Sequence, residues 1–433
     1  MRRKLDPTPE LSTLSNGLRV IATTMPNARS LSIALAVRAG SVYDPPKTPG
    51  LAHFLEHLIF KSTEDFSRPE LAATMQRCGN RFDPTTSKEI VSIAGTVPAR
   101  KSDDALRVVA SVVQRPLFDA RDLETERQVV LEELRDCEVD PSKRIEALAD
   151  ETMWGRHPLG RDTGGTRTSV REITREQVRR YHRRYFHPGN SVLSLAGPME
   201  SGDMLAAARR HFGAWLPSAH ARQPRRAAIA AGMPEMRQGR RSKVLRRADT
   251  PQVWFSISTT TPSYPDGYRA VLKTQLAQTL IGDGDGSRLW DGLREKLGLA
   301  YDVYATLDLY SDVGVMSAMA AVGRGRAAMA VRETKRILAD TVERGFSKEE
   351  VARGKDALAA QIDLVAEWNA FNASRYAELA LFDQPLVTPN EELDRLEKIT
   401  AKEFNAFVRE RLRWDCAAVC AIGAGPALAA VRS

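Results

Sequence analysis

The stretch "ITREQVRRYHRRYFHPGNSVLSLAG", residues 173–197, has a counterpart in the second half of the chain, "ITAKEFNAFVRERLRWDCAAVCAIG", residues 399–423. Thr174 and Thr400 lie at the same distance from the glycine that ends each stretch. Threonine is favoured immediately before a helix, so each stretch predicts a capped amphipathic helix followed by a strand of small residues. Two copies of one helix-strand unit indicate an internal duplication.

The repeat extends upstream of these stretches. "PLFDARDLETERQVVLEEL", residues 116–134, aligns with "RGFSKEEVARGKDALAAQI", residues 344–362, so that Phe118 and Phe346 coincide. The phenylalanine pair and the threonine pair are separated by nearly the same number of residues, which favours duplication of one unit over chance similarity.

Apolar patterns indicate the content of each copy. The predicted strands are "LSIALAVRA", "IVSIAGTV", "VWFSIST" and "VGVMSAMAAV", and the predicted helices include "DDALRVVASVVQ" and "YRAVLKTQLAQTLI". We therefore predict an α+β fold of two homologous domains, each a β-sheet backed by helices, at residues 1–216 and 246–433. Residues 217–245 are predicted to form a basic linker between them.

Composition excludes several classes of protein. With 433 residues, 42% of them hydrophobic, the chain has enough apolar material for two or three domains. No signal-peptide pattern and no apolar window of membrane-spanning length occurs, so we expect a cytoplasmic protein without a membrane partner. The cysteines form no CxxC pair and predict reduced thiols; they are Cys78, Cys137, Cys416 and Cys420.

Much of the net charge of +8 lies in one stretch. Nine arginines and lysines lie between Arg222 and Arg247, against the single acid Glu235. The stretch has no interleaved aromatic residues and no nucleic-acid motif, so it is typical of a solvated linker and predicts no nucleic-acid partner. A preference for anionic peptides stays open.

The stretch "TPGLAHFLEHLIFKST", residues 48–63, is apolar but carries ionisable side chains. It predicts a helix, with Thr48 as the capping residue and Pro49 at the first helical position. His53 and His57 then lie one turn apart on one face.

His53, His57 and Glu56 together form an H-x-x-E-H pattern, the signature of inverzincin metallopeptidases. Two imidazoles at this spacing chelate a transition metal on a helix. The alternative is a pair of core histidines satisfied by their neighbours, beside a glutamate at the helix edge. We predict one zinc ion per chain, with His53 and His57 as ligands.

Two histidines do not complete a zinc site, so a third ligand is required. The segment "DARDLETERQVVLEELRDCEV" offers five candidates, Glu124, Glu126, Glu132, Glu133 and Glu138. Glu126 and Glu133 share one helix face, whereas Glu132 points elsewhere. We therefore predict Glu133 as the ligand and Glu126 as an acid that orients a ligand or holds the helix. Alone, the segment is also compatible with an exposed acidic helix face.

This ligand set predicts a reaction. Zinc with three protein ligands and one open position acidifies a bound water to a pKa near about 7. Glu56 is placed to take the proton of that water and pass it to a leaving amine. Amide hydrolysis without a serine or cysteine nucleophile is the predicted chemistry.

The sequence resembles the pitrilysin and mitochondrial processing peptidase family of zinc metallopeptidases. "GLAHFLEHLIFKST" resembles the zinc-helix signature of this family, and "ERQVVLEEL" resembles the segment with its third ligand. Residues 157–197 resemble the segment that closes its first domain. The resemblance covers most of the chain and is looser after residue 325.

The resemblance implies further site residues in "GSRLWDGLREKLGLAYDVYA", residues 286–305. In this family an arginine and a tyrosine seven residues apart hold the substrate backbone opposite the zinc, and Arg294 and Tyr301 match them. The chain departs from the family at Asp83 and Pro84, where the family usually has asparagine and alanine. Proline lacks a backbone donor, so we expect this position, with Asp83 as a substrate contact, to affect which peptides bind.

The resemblance also implies a partner. In the family, four such domains enclose a chamber for unfolded peptides, and this chain supplies two. All seven histidines lie between His53 and His220, so the second half carries no copy of the zinc site. We expect a homodimer that cleaves oligopeptides or leader and targeting peptides, or a heterodimer with a related inactive subunit. The alternative is a structural or chaperone-like subunit without turnover.

Overall fold

The computed structural model of the chain describes residues 6–79, 82–217, 219–221 and 241–424. The chain divides into two compact units. The first unit comprises Met1–Leu134, Asp162–Arg225 and Ile362–Glu392, and the second comprises Arg135–Arg161, Arg226–Gln361 and Leu393–Ser433.

These units differ from the contiguous ranges that the sequence predicts. A segment of the first half, residues 135–161, belongs to the second unit, and residues 362–392 of the second half belong to the first. Most of the predicted basic linker lies outside the described residues. The last residues of the predicted linker belong to a strand that begins at Ser242, so they are not linker as the sequence predicts.

The described residues form short runs of strands and longer runs of helices. The strands are β1 (Pro9–Thr13), β2 (Arg19–Thr24), β3 (Ser30–Val37), β4 (Phe82–Thr86), β5 (Val91–Pro98), β6 (Ser191–Gly197), β7 (Ser242–Arg246), β8 (Gln252–Thr261), β9 (Ala300–Leu309), β10 (Gly314–Gly323) and β11 (Ala418–Gly423). The helices are α1 (Leu51–Ile59), α2 (Arg68–Arg77), α3 (Ser102–Gln114), α4 (Ala120–Val139), α5 (Pro141–Trp154), α6 (Arg167–Glu172), α7 (Arg175–Tyr185), α8 (Ser201–Phe212), α9 (Tyr268–Gly282), α10 (Ala327–Glu343), α11 (Lys348–Ala366), α12 (Asn369–Leu381), α13 (Pro389–Glu397) and α14 (Ala401–Arg411).

The two sheets have the same topology. The first has the strand order β1-β2-β6-β3-β5-β4 and the second β7-β11-β8-β10-β9. In each, one pair is parallel, β2 with β6 and β7 with β11, and the remaining pairs are antiparallel. The first sheet differs only by the additional edge strand β1. The predicted α+β fold of two related units, each a sheet with helices, is confirmed.

The stretches that revealed the repeat take up equivalent positions. Thr174 caps α7 by accepting a hydrogen bond from the Gln177 backbone, and Thr400 caps α14 in the same way from Glu403. The strands that follow, β6 and β11, each lie inside their sheet between two other strands and are fully buried. Both predicted caps and both predicted strands are therefore confirmed.

The two halves of the chain exchange one helix each. Helix α5, from the first half, packs on β8 and β11 of the second sheet, and its Ile145 and Leu148 join a core with Met319 and Ile422. Helix α12, from the second half, packs on β3 and β6 of the first sheet. There Asn369 donates a hydrogen bond of 2.8 Å to the Ser30 carbonyl. Each sheet is thus covered on one face by a helix of the other half.

The opposite face of the first sheet carries the core that positions α1. Alternate residues of β3 point into this core because strand side chains alternate between faces; they are Leu31, Ile33, Leu35 and Val37. They pack with buried residues of α1, α3, α7 and α8.

Across the described residues, no helix has the length and apolarity needed to cross a membrane. All four cysteines are free, as predicted.

Candidate metal centre

Helix α1 begins later than the sequence predicts. Its cap is Gly50, so Thr48 is not the capping residue and Pro49 is not in the first turn. The backbone donors of the first turn are instead satisfied by the buried carboxylate of Asp44, which accepts hydrogen bonds of 2.7 Å from Gly50 and 2.9 Å from Ala52. A carboxylate at a helix N-terminus also interacts favourably with the helix dipole, which explains why Asp44 replaces a threonine cap.

Glycine is required at the start of α1. Gly50 has a φ of 89°, and a Cβ there would lie 2.4 Å from the Gly164 carbonyl oxygen. A Cβ at Gly165 would lie 2.2 Å from the Pro49 carbonyl oxygen. This close approach of two backbone segments, together with the Asp44 cap, fixes where α1 starts and hence where its side chains point.

One face of α1 is buried and the other carries the predicted site. The buried residues are Leu51, Ala52, Phe54, Leu55, Leu58 and Ile59. His53, Glu56 and His57 lie on the partly exposed remainder, as the helical period predicts. The two imidazole rings contact edge to face, with centroids 4.7 Å apart.

Helix α4 presents the acidic side chains to this face. Its buried stripe includes Leu123, Glu126 and Val130, so Glu126 lies inside the protein while Glu133 is about half exposed. Arg127 holds α4 against its neighbours. Its guanidinium donates a 2.9 Å hydrogen bond to the Ile173 carbonyl and lies over the Phe54 ring of α1.

The structure brings His53, His57 and Glu133 together. Each offers one ligand atom, and the three atoms lie within 4.8 Å of one another. The Glu133 carboxylate is 3.2 Å from His57 Nε2 and 3.9 Å from His53 Nε2. Two atoms bonded to one tetrahedral zinc ion are about 3.4 Å apart, so the separations and the donor types fit this metal.

A second carboxylate, that of Glu126, contacts the side of the His57 ring that faces away from Glu133. Glu126 Oε2 lies 3.3 Å from His57 Nδ1, and Glu126 Oε1 lies 2.7 Å from the Lys61 ammonium. The Glu126 side chain is only 8% exposed, so the two partners are what satisfy its buried oxygens. With Nδ1 engaged by a carboxylate, His57 directs Nε2 towards Glu133, an arrangement that orients metal-ligating histidines.

His53 is held differently. Its Nδ1 is buried and has no hydrogen-bond partner among the described residues. Burial, assisted by the neighbouring His57, lowers the pKa of His53 to about 4. The imidazole is therefore neutral at neutral pH and keeps a lone pair for a metal ion.

Glu56 lies on the same face as the histidines. Burial raises the pKa of this carboxyl, and the carboxylates of Glu133 and Asp83 raise it further, against the opposing effects of the Thr86 hydroxyl and His57. A raised carboxyl pKa favours proton transfer near neutral pH, since the group then holds a proton more readily. The environment thus suits a general base.

The residues expected to contact substrate lie in both units. Asp83 and Pro84 lie on β4, which contacts α1 in the first unit. In the second unit, Arg294 lies on the π-helical turn Trp290–Lys296 and donates a 3.3 Å hydrogen bond to the Tyr301 carbonyl. Tyr301 is 73% exposed. The predicted Arg294 and Tyr301 pair is therefore adjacent, with its aromatic ring available to a ligand.

The structure adds side chains that the sequence did not indicate. The Arg294 guanidinium lies 3.9 Å from the ring centroid of Trp290 and 4.8 Å from that of Tyr301, so two aromatic rings hold it. Lys61 is the second missed residue. Its position four residues after His57 was the available signal, because that spacing places it on the same side of the helix end.

Comparisons with family models divide the chain in two. Residues 19–167 match the model described as insulinase (peptidase family M16), and residues 172–358 match the model described as the peptidase M16 inactive domain. The chain is 32% identical to an uncharacterized zinc protease of Mycobacterium tuberculosis, over 93% of this chain and 91% of that protein. It is 25% identical to an uncharacterized zinc protease of Bacillus subtilis, over 94% of this chain and 96% of that protein.

Solved structures resemble the chain over nearly its whole length. A protease from Helicobacter pylori superposes with a TM-score of 0.87 at 19% identity, covering 97% of this chain and 100% of its own. A peptidase M16 inactive domain from Pseudomonas fluorescens superposes with a TM-score of 0.86 at 19% identity, covering 96% of this chain and 98% of its own. At this identity the likeness concerns the fold.

Proposed function

Because the chain belongs to peptidase family M16, the pitrilysin family that its sequence resembles, we propose that it is a zinc-dependent endopeptidase. Its substrates are unfolded oligopeptides or leader and targeting peptides, which it cleaves in a chamber closed by dimerisation. The observation that carries the proposal is a cluster of three possible ligands, His53, His57 and Glu133. Glu56 lies on the same face of α1 as the two histidines.

His53, His57 and Glu133 would hold one zinc ion per chain. When bound, zinc supplies a Lewis acid and acidifies a water molecule. Glu126 keeps His57 oriented and is itself neutralised by Lys61. The cost of burying the Glu126 charge is offset by these two partners.

Glu56 is the proposed general base and acid. Its carboxylate takes the proton of the attacking water, and the same proton then passes to the nitrogen of the leaving amine as the peptide bond breaks. The carboxyl pKa, raised mainly by burial, favours both halves of this transfer.

Arg294 and Tyr301 are the proposed contacts to the substrate backbone. The guanidinium is held between two aromatic rings, so little of its conformational freedom is lost when it donates to a peptide carbonyl. A homodimer supplies both the metal centre and this pair from identical chains, whereas a heterodimer with an inactive subunit is the second possibility for assembly.

The test compares the wild-type protein with its Glu56→Gln variant on a mixture of unstructured peptides, followed by mass spectrometry. We expect the wild type to cleave and the variant to retain zinc while turnover falls about 10²- to 10⁴-fold, the usual contribution of a general base. Equal activity of the two proteins would refute the role of Glu56. Zinc binding without cleavage by the wild type would favour the non-catalytic subunit.

A further inference from the structure

Strand β4 forms one edge of the first sheet, beside the metal-centre helix. Within the described part of the chain it pairs only with β5, and it contacts α1. Thr86 is its last residue, at the end of the strand that packs against the helix of Glu56. An open strand edge binds extended peptides through backbone hydrogen bonds, so this edge is placed to align a peptide beside the metal centre.

The register determines which residues of β4 point their backbone groups outward. In antiparallel pairs, successive residues alternate between bonding the partner strand and facing away from it. The Ser87 backbone N–H donates a 2.8 Å hydrogen bond to the Ile90 carbonyl, which places residue 87 among those that bond inward. Thr85 and Asp83 therefore bond towards β5, opposite Ser92 and Ala94.

A second, independent set of bonds gives the same assignment. The Ala99 N–H donates to the Arg29 carbonyl at 3.2 Å, so the odd-numbered residues of β5 bond towards β3. The even-numbered residues of β5 then bond towards β4, which again selects Asp83 and Thr85. The backbone groups of Phe82, Pro84 and Thr86 consequently face the open edge.

Pro84 lies in the middle of this open edge. Proline has no N–H, and in sheets it is tolerated where the missing donor faces away from the partner strand. Of the three residues that face outward, only Phe82 and Thr86 retain a donor. The pyrrolidine ring also occupies the space into which a paired backbone would otherwise approach.

We propose that Pro84 is a specificity-determining residue that ends the backbone ladder between this edge and a bound peptide. The inference rests on the proposed function, since it assumes that the peptide lies beside the metal centre. A peptide pairs with the Thr86 end of β4, next to Glu56, and its ladder stops at residue 84. The pyrrolidine ring keeps the peptide backbone away from residue 84 and from the donor of Phe82 beyond it, so peptide residues past that point add no backbone hydrogen bond and contribute little affinity.

The test uses two series of unstructured peptides, extended one residue at a time at the N-terminus or at the C-terminus. For the wild type, kcat/KM should stop rising after a short extension in one series. For Pro84→Ala, which restores the donor and removes the ring, that series should continue to rise by about 2- to 10-fold, the usual contribution of one hydrogen bond. N-methylation of the newly paired peptide residue should reverse the gain in Pro84→Ala and leave the wild type unchanged.

Thr85→Ala is the matched control, because it shortens the side chain of the neighbouring residue, which bonds towards β5, without altering any outward donor. An equal gain in Thr85→Ala would refute the role of the donor, as would continued length dependence in the wild type. Zinc content and thermal unfolding of each variant show that the fold is kept.

The same peptides are also titrated by fluorescence anisotropy against Glu56→Gln and against the double variant with Pro84→Ala. This measurement requires no turnover, so it separates the two proposals. A length limit that Pro84→Ala removes, without cleavage by any form, would support the ladder and refute the peptidase. Cleavage without a length limit would refute the ladder alone, and no peptide binding at all would refute both.

Discussion

Helices α1 and α9 occupy equivalent places in the two units, but α1 meets the neighbouring helix with ionisable side chains and α9 meets it with an apolar one. Each follows the central strand of its sheet, β3 or β8. In the first unit α1 brings His57 against Glu126 of α4. In the repeat, Gly354 of α11 stands where Glu126 stands in α4, and a Cβ there would lie 2.6 Å from Leu280 of α9. The second unit thus closes the same helix contact with an apolar side chain and a glycine.

The position of the third predicted ligand shows the same contrast. In the repeat, Gln361 corresponds to Glu133, and its amide donates a 2.7 Å hydrogen bond to the Asp283 carboxylate. A buried leucine stabilises a fold by about 1.5–3 kcal/mol, whereas buried polar groups are costly unless they are paired. The comparison teaches that the duplicated scaffold requires only contact between these helices, and that the first unit forgoes apolar packing there to hold its polar cluster.

The largest effect that tests this contrast is expected at Glu133. Glu133→Gln should weaken zinc binding by more than about 100-fold, beyond the 10- to 100-fold typical of residues that only support a ligand. Glu132→Gln is the control on the adjacent position, and it should change zinc affinity little. Zinc titration with a competing chelator measures both, and the reverse ranking would overturn the assignment of the helix face.

A smaller loss is expected at Glu126. Glu126→Gln removes the charge that orients His57 and leaves Lys61 without its carboxylate, so zinc affinity or activity should fall about 10- to 100-fold. The same titration measures zinc affinity, and cleavage of unstructured peptides measures activity. If zinc affinity and turnover both stayed at the wild-type level, the carboxylate would serve only to pair with Lys61.

The second unit should affect substrate without affecting metal. Arg294→Lys keeps the charge but loses the planar group that lies between two rings, and we expect KM to rise about 10-fold with zinc content unchanged. Lys296→Ala removes an exposed charge two residues away and should leave KM unaltered. Loss of zinc in Arg294→Lys would mean that the residue is structural.

The smallest effect concerns packing at the apolar counterpart of the site. Gly354→Ala forces a methyl group against Leu280 and should destabilise the protein by about 1–3 kcal/mol without loss of zinc. Gly202→Ala is the matched control, because no atom lies within 4 Å of the added Cβ on α8. It should be neutral or stabilise by up to about 1 kcal/mol. Chemical denaturation measures both, and equal stabilities would show that α9 and α11 are loosely packed.

Local periodicity accounts for what the sequence predicted correctly. The spacing of His53 and His57 and the shared face of Glu126 and Glu133 are properties of single helices, so they could be predicted without knowing the fold. The threonine caps at residues 174 and 400 are equally local.

What the sequence did not predict depends on contacts between distant segments. The backbone donors at the start of α1 bond to the carboxylate of Asp44, which precedes the helix by several residues, and not to the nearer Thr48. The segment 135–161 has the amphipathic pattern of a helix, but that pattern does not specify which sheet it covers. For this reason the sequence pattern predicts contiguous domain ranges, although the two units exchange segments.

The exchange of α5 and α12 has a consequence for synthesis on the ribosome. The strands β3 and β6 are complete once Gly197 has been translated, but α12, which covers one of their faces, ends only at Leu381. At about 5–20 residues per second, the ribosome needs roughly 10 to 40 seconds to make the intervening chain. During that interval the nascent protein holds a sheet with one bare face, so its first half cannot finish folding before most of its second half has emerged.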